Sequence, residues 1–290
     1  MGSSCSHTTK LWEADDSTDF SNPHNSPRRQ VQFDCKKTIS KTLVKSVYLG
    51  KTMETEPREV TVTQLTSNSS HQSADNVNCQ QTAAKQANRY AQMFMAEPFI
   101  QQLKVGISFQ IPQVAEVGES SCELAGQFVA VKWHLSGTPI QFSSNAGFTR
   151  AFDDRDDGDD LLAALCHYSF QKSGTLHLLC GLEGVRKSRM DFELTDLSLH
   201  SQDWRYDPTD LGVVGMEMFF ASHTCSNYCR SLQLERQSVG GGGLDEWSNS
   251  CRTVYCQDLS AQQRAQIKSK QSDQLHILRQ DLRKFHQDID

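Results

Sequence analysis

The stretch His223-Thr224-Cys225-Ser226-Asn227-Tyr228-Cys229 places one imidazole and two thiols close together in the chain. Imidazole nitrogen and thiolate sulfur are the donors zinc prefers, and zinc takes four of them in a tetrahedron. Their spacing fits one helical stretch, so a fourth ligand would have to come from elsewhere. Buried side chains without a metal are the alternative reading of the same three residues. A second chemistry-bearing run is Asp153-Asp154-Arg155-Asp156-Asp157-Gly158-Asp159-Asp160. A calcium loop turning at Gly158 would need oxygen ligands at 153, 155 and 157 and a glutamate at 164, where the chain has Arg155 and Ala164. A solvated loop that also N-caps a helix starting near Leu161 accounts for the run better.

Composition narrows the function classes. The formal charge of −6 argues against a nucleic-acid partner, which would require phosphate-neutralising basic surface. A protein partner or substrate is the expectation. Met1 is not followed by an apolar segment of signal-peptide type, and no stretch approaches the roughly 18 apolar residues of a membrane span. The cysteines, Cys35, Cys79, Cys122 and Cys166 among them, are therefore expected as reduced thiols of a cytoplasmic protein, some of them metal-bound. The opening Met-Gly-Ser-Ser-Cys-Ser fits N-myristoylation at Gly2, and Cys5 could add a palmitoyl chain. Two such chains together would make a stable membrane anchor where one would not. A plain polar tail is the alternative.

Residues 1–37 are rich in Ser, Asn, Asp, Thr and Pro and are expected to form a disordered tail. Strands are expected over 42–50 and 59–65, the latter alternating Val60 and Val62 with Thr61 and Thr63. A helix over 78–95 follows, with Ala83, Ala87, Tyr90, Ala91 and Phe94 on one face. Further strands are expected over 105–117, 126–135 and 139–143. The domain would run over 38–235, followed by a Gly-rich linker at 236–258 and a C-terminal helix at 259–290. In that helix Leu275, Leu278, Leu282, Phe285 and Ile289 recur at spacings suited to self-association or to folding back on the domain.

The run Leu211-Gly212-Val213-Val214-Gly215-Met216-Glu217-Met218-Phe219-Phe220-Ala221-Ser222-His223, leading into Cys225 and Cys229, resembles the end of the alpha-kinase domain. That is the family of elongation-factor kinase, the channel-linked kinases and the myosin heavy chain kinases. The resemblance also takes in Asn145-Ala146-Gly147-Phe148, Gly184-Val185 and Thr195-Asp196, and it is stronger over 125–235 than over 40–125. It implies an α+β, two-lobed atypical (alpha-type) protein kinase fold with a structural zinc in the C-lobe. It also implies His167, in Leu165-Cys166-His167-Tyr168, as the fourth ligand beside His223, Cys225 and Cys229.

Phosphoryl transfer needs a lysine on the phosphates, a carboxylate for the substrate hydroxyl, groups that bind magnesium, and backbone donors from a glycine loop. The family's Asp-x-Gln-Gly-Val loop aligns with Gly181-Leu182-Glu183-Gly184-Val185, so the carboxylate position is Gly181 and the amide position is Glu183. The family's glycine loop aligns with Asp207-Pro208-Thr209-Asp210-Leu211-Gly212. Asp207 and Thr209 replace glycines that would face phosphate, leaving Gly212 and Gly215 as cofactor-binding candidates. The lysine-bearing strand best matches Glu59-Val60-Thr61-Val62-Thr63, which has no lysine; Lys51 is a substitute or a solvated strand-end charge. Lys132 stands where the family often has an acidic residue, and Asp196 matches a magnesium ligand or is a turn residue. Arg186, Lys187 and Arg189 are either a phosphate-binding insertion or a solvated basic loop.

Two readings follow. One is a pseudokinase acting as a zinc-stabilised binding or scaffold module. The other is an active serine/threonine kinase using ATP and magnesium, in which Glu183 replaces the missing aspartate and Asp196 holds the metal. On strand alternation, Glu183 faces the same way as Gly181.

Overall fold

The computed structural model describes residues 7–11, 30–41, 45–65, 74–118, 124–145, 147, 156–206 and 209–235. In chain order the first elements are β1 (His7–Leu11), β2 (Gln30–Lys41), β3 (Lys45–Thr52), β4 (Glu59–Leu65), α1 (Ala74–Met95), α2 (Pro98–Gln101), β5 (Gly106–Phe109) and β6 (Gln113–Val117). They are followed by β7 (Phe128–Trp133), β8 (Ile140–Gln141), α3 (Asp157–Lys172), β9 (His177–Ser188), β10 (Asp191–Ser201), α4 (Gly212–Ser222) and α5 (Asn227–Ser231). Gly2, Cys5, the linker at 236–258 and the expected helix at 259–290 lie outside the described residues. The chain divides into two compact units, Met1–Ala84 with Gln110–Ser136 and Lys85–Phe109 with Gly137–Asp290.

The first unit holds a closed barrel in the order β1-β2-β3-β4-β7-β6. Closure leaves none of its strands with an unpaired edge. Period-2 patterning fills the interior: Val31, Phe33 and Cys35 from β2, Val60 and Val62 from β4, and Val129 and Val131 from β7 are all buried. The expected disordered tail is corrected here at two stretches. His7–Leu11 and the start of Gln30–Lys41 are strands, because β1 pairs with both β2 and β6 and so closes the barrel. Polar composition hid this, since a barrel strand needs apolar residues only on its inner face. A second correction concerns Cys35, which is disulfide-bonded rather than a free thiol. Cys79, Cys166, Cys180, Cys225 and Cys229 are free, so the partner of Cys35 lies outside the described residues.

The expected strand over 105–117 is two strands in two different sheets, β5 and β6. Pro112 sits between them, lacks an N–H and disfavours a regular ladder. The second unit's sheet runs β5-β10-β9-β8, with β10 parallel to β5 and antiparallel to β9. Its β5 edge is closed by side chains of α1. The Asn88 amide donates to the Phe109 carbonyl at 2.7 Å and accepts the Phe109 N–H at 2.9 Å. Ala83, Ala87, Tyr90, Ala91 and Phe94 of α1 are buried, as their spacing predicts.

Helix α3 is the most deeply buried helix of this unit, with every residue from Leu161 to Phe170 buried. Its start is fixed by the acidic run. Asp156 accepts the N–H groups of Gly158 and Asp159, and Asp159 returns a carboxylate to the Asp156 N–H, which is a capping box. The helix thus begins at Asp157, one turn before the expected Leu161.

Arg186, Lys187 and Arg189 lie at the β9–β10 hairpin, and all three are ion-paired, Arg186 half-buried and Lys187 and Arg189 exposed to solvent. Arg186 grips Asp156 with two nitrogens and reaches Asp159, Arg189 meets Asp157 at 3.0 Å, and Lys187 meets Glu193. The hairpin returns to the helix start, where the acidic side chains of Asp156, Asp157 and Asp159 give Arg186 and Arg189 their carboxylate partners. The Arg186 guanidinium holds the Asp156 carboxyl down at about 2, helped by the cap N–H groups. Asp156→Ala is expected to lower stability by about 0.5–2 kcal/mol through loss of the cap, read by urea unfolding at neutral pH. An unchanged unfolding midpoint would show that the cap is dispensable.

Candidate functional site

His167 lies on α3 and is buried at 1% exposure, while Cys229 lies on α5 and is fully buried. The other two ligand candidates sit where the chain bends. Helix α4 ends at Ser222, His223 is its extended C-cap, and Ser226 N-caps α5. The expectation of one continuous helical stretch is therefore corrected. An unbroken helix would fix His223, Cys225 and Cys229 on one spiral, whereas the break turns Cys225 toward α3. One ligand atom from each of His167, His223, Cys225 and Cys229 lies within 4.8 Å of the others.

The spacing is one that a metal ion could bridge. Zinc–sulfur and zinc–nitrogen bonds of ordinary length at a tetrahedral angle put nitrogen and sulfur about 3.5 Å apart. Cys229 Sγ is 3.5 Å from His223 Nε2, and Cys225 Sγ is 3.8 Å from His167 Nδ1. The other nitrogen of His167, Nε2, is 3.0 Å from the Glu235 carbonyl oxygen. Donation to that carbonyl puts the proton on Nε2 and leaves Nδ1 free to ligate, the usual outer-sphere arrangement of a metal-bound histidine. Burial pushes His167 below the ordinary imidazole range, favouring the neutral ligand form. It pushes the Cys229 thiol up to about 11, so metal binding there must displace a proton. Phe219 stacks on His223 at 4.8 Å and Phe220 meets His167 edge-on at 5.2 Å, fixing both rings. Cys166 and Cys180 are fully buried nearby, and burial pushes both thiols up.

The catalytic candidates lie on β9 and β10. Glu183 and Asp196 are direct cross-strand partners, both half-buried. Exposure alternates along β9, with Gly181 and Glu183 half-buried and Leu182 and Gly184 buried. Gly181 is nevertheless not an ordinary strand residue. Its φ is +61°, the ladder shifts register on either side of Asp196, and the Gly181 N–H is given to the Ser144 carbonyl at 3.1 Å. A Cβ on Gly181 would sit 2.7 Å from Ser198 Oγ. Position 181 is therefore shaped for glycine in two ways, by backbone conformation and by the neighbouring strand.

Gly212 and Gly215 each have a packing role. Gly212 has φ +62°, and a Cβ there would lie 2.2 Å from the Trp204 ring; one on Gly215 would lie 2.6 Å from the His200 ring. Close approach of an aromatic ring to a helix start demands glycine. Lys51 is exposed at the end of β3 opposite Glu59, and Lys132 is buried on β7 opposite Thr61.

Sequence reasoning missed Asp210. It is fully buried, and four donors converge on its carboxylate: Ser201 N–H at 2.9 Å, Gly212 N–H at 2.9 Å, Ser201 Oγ–H at 2.6 Å and Tyr206 N–H at 3.3 Å. Beside it, neutral His200 accepts the Leu211 N–H at 3.1 Å on Nδ1 and donates from Nε2 to the Asn145 carbonyl at 2.8 Å. Burial raises Asp210 to about 7 despite its hydrogen bonds, and lowers His200 to about 4. The detectable signal was Asp two residues before a glycine at a helix start, a pattern in which the side chain accepts the i+2 N–H.

Comparison with known proteins places this geometry. A sequence model described as the alpha-kinase family matches residues 33–229. The chain is 26% identical over 169 residues to alpha-protein kinase vwkA of Dictyostelium discoideum, covering 58% of this chain and 25% of that protein. It is 32% identical over 123 residues to eukaryotic elongation factor 2 kinase of Mus musculus, covering 42% of this chain and 16% of that protein. Among solved structures it is similar to the inactive alpha-kinase domain of myosin heavy chain kinase A in complex with ATP. There the TM-score is 0.61 at 15% identity, with 80% of this chain and 100% of that one covered. The chain thus spans a quarter or less of the length of these curated relatives.

The Asp210 carboxylate gives a pH test. Its folded value lies above the unfolded one, so the folded state binds the extra proton, and this contribution to stability is lost as pH rises from about 4 to about 7, by at most about 1.4 kcal/mol per pH unit. His200 works in the opposite direction over much of that window, because its folded value is lowered. The expected result is therefore a difference: stability of Asp210→Asn relative to wild type improves from pH 5 to pH 7, measured by urea unfolding. Parallel pH profiles for the two proteins would exclude a titrating Asp210.

Proposed function

The chain belongs to the alpha-kinase family, and on that premise we propose that it is a pseudokinase, a zinc-stabilised alpha-kinase fold that works as a binding or scaffold module. The observation that carries this reading is Gly181. Family resemblance puts the carboxylate of the catalytic loop at that position, and here the position has a left-handed backbone with Ser198 packed against it. A positioned general base is worth about a hundredfold to ten-thousandfold. The loop before Gly212 supports the same reading, because N–H groups of the kind that would cradle phosphate are donated to Asp210. A second anion beside that buried carboxylate would meet repulsion. The net charge of −6 favours a protein partner over a nucleic acid.

In this reading His167 Nδ1, His223 Nε2, Cys225 and Cys229 hold a closed zinc site whose bound metal supplies folding energy and no open coordination position. One specific observation favours the alternative of an active kinase. Glu183 and Asp196 stand directly opposite each other, and adjacent carboxylates are the usual ligands of magnesium, with Glu183 positioned to take a proton from a substrate hydroxyl.

Two measurements test these readings separately. For zinc, about one ion per chain is expected by atomic emission, lost from His167→Ala and from Cys229→Ser with a lower thermal midpoint. Because uptake displaces protons, retention should fall from about pH 8 to about pH 5. Wild type that carries no metal as purified, and whose thermal midpoint does not rise on adding zinc, would rule the site out. For catalysis, calorimetry with magnesium and ATP should give weak or absent binding, and labelled phosphate should not reach a protein substrate. Transfer that disappears in both Glu183→Gln and Asp196→Asn, with zinc content unchanged, would establish the active-kinase reading instead.

A further inference from the structure

Strand β2 carries more residues than β3 can pair. Phe33 stands opposite Gly50 and Thr38 opposite Tyr48, so Asp34, Cys35, Lys36 and Lys37 of β2 face the single residue Leu49 of β3. Ser40 then stands opposite Val47, which makes Ile39 a second extra residue. Extra residues in one strand bulge out of the ladder and re-aim their side chains. The first bulge is fixed in place. Cys35 points into the barrel and is buried, while Asp34 Oδ1 accepts the Lys36 N–H at 3.0 Å, an Asx turn. What projects is a short basic and aliphatic arm. Lys36, Lys37 and Lys41 are exposed, as is Ile39 at 54%, with Leu49 at 38% on the neighbouring strand. Asp34 is the one acidic residue of this stretch, and Lys37 Nζ lies 3.9 Å from it with 85% of its side chain exposed.

Lysines set among exposed aliphatic side chains on a projection suit a broad surface, whereas a bound peptide would need a groove. A lysine ammonium is a compact point charge fitted to diffuse attraction by many headgroups, where the arginine fork suits one bidentate partner. An anionic bilayer attracts such lysines within about a Debye length, and an aliphatic side chain at the same level enters the headgroup–acyl boundary. Protection of a strand edge would account for the lysines and the bulges, but not for an exposed isoleucine between them. The whole chain has a formal charge of −6, so its overall charge repels an anionic surface and the arm has to supply the attraction. We propose that the 36–41 arm of β2 docks the barrel on anionic phospholipid bilayers, with the lysines against the headgroups and Ile39 in the interface. The contact uses neither the His/Cys group nor Glu183 and Asp196, so it stands whether or not the chain transfers phosphate.

The test uses the full chain, produced without an acyltransferase so that no lipid is attached. It is sedimented with vesicles of phosphatidylcholine alone, or of phosphatidylcholine with about one-third phosphatidylserine, in about 0.1 M salt. Binding is expected to the anionic vesicles and not to the neutral ones, and it should be lost in about 0.5 M salt. Each lysine near the surface is worth about fivefold in affinity, so Lys36→Gln/Lys37→Gln should bind about 25-fold more weakly. Ile39→Ser should bind several-fold more weakly, and Lys36→Arg/Lys37→Arg, which keeps the charge, should bind like wild type. These side chains project from the ladder, so the thermal midpoints should match wild type. If the glutamine variant melts early, the arginine variant and the salt series on wild type decide. Absence of binding to anionic vesicles, equal binding to both compositions, or unchanged binding by the glutamine variant would each overturn the proposal. So would binding to polyglutamate that requires Lys36 and Lys37 while vesicles stay unbound, which would make the partner an acidic peptide.

Discussion

Helix α5 is five residues long and cannot stand by itself, since a helix of that length does not recover the entropy of its own nucleation. What holds it is packing and hydrogen bonding to α3: the Tyr228 hydroxyl donates to Asp157 at 2.7 Å, and Cys229 is fully buried beside the group formed with His167, His223 and Cys225. Helix α3 supplies that support because it is itself firmly fixed. Helix α3 is buried along ten consecutive residues, its start is clamped by Asp156 and Arg186, and its His167 is oriented by a backbone carbonyl from Glu235. Four possible ligand atoms, two of them on fully or nearly fully buried residues, lie close together where these segments meet.

The neighbouring face obeys a different constraint, the cost of burying an anion. Asp210 has no exposure, and an isolated ionised carboxylate would be prohibitive there. Three backbone N–H groups and one hydroxyl offset part of that cost, and they hold Ser201, Tyr206 and Gly212 in a fixed loop. Trp204 and His200 close over the two glycines that follow. The loop is thus a packed, internally satisfied piece of structure, and the bulge at Gly181 on the facing hairpin is equally committed to its neighbours Ser144 and Ser198.

Much of the frame was legible in the sequence. The stripe from Ala83 to Phe94 and the alternation in β4 produced the expected helix and strand, because burial of one face imposes a period that local sequence records. His223, Cys225 and Cys229 stood out for the same reason, being close in the chain. Other features were not legible. β1 reads as polar tail because only its pairing with β2 and β6 makes it a strand. Arg186, Lys187 and Arg189 read as a basic loop because their carboxylate partners are distant in sequence or carry no signal of pairing.

Sequence by itself determined the family, the candidate ligands and the absence of an aspartate at position 181, all of which are properties of residue identity and order. Tertiary structure alone decided that α4 and α5 break at His223, that Gly181 is locked in a left-handed bulge, and that Asp210 fills its own nest of donors. The Gly181 bulge depends on Ser144 and Ser198 from other segments, while the donors to Asp210 come from the turn before α4 and the end of β10. No local pattern encodes which buried donor will find which acceptor, because that is settled only when the segments pack.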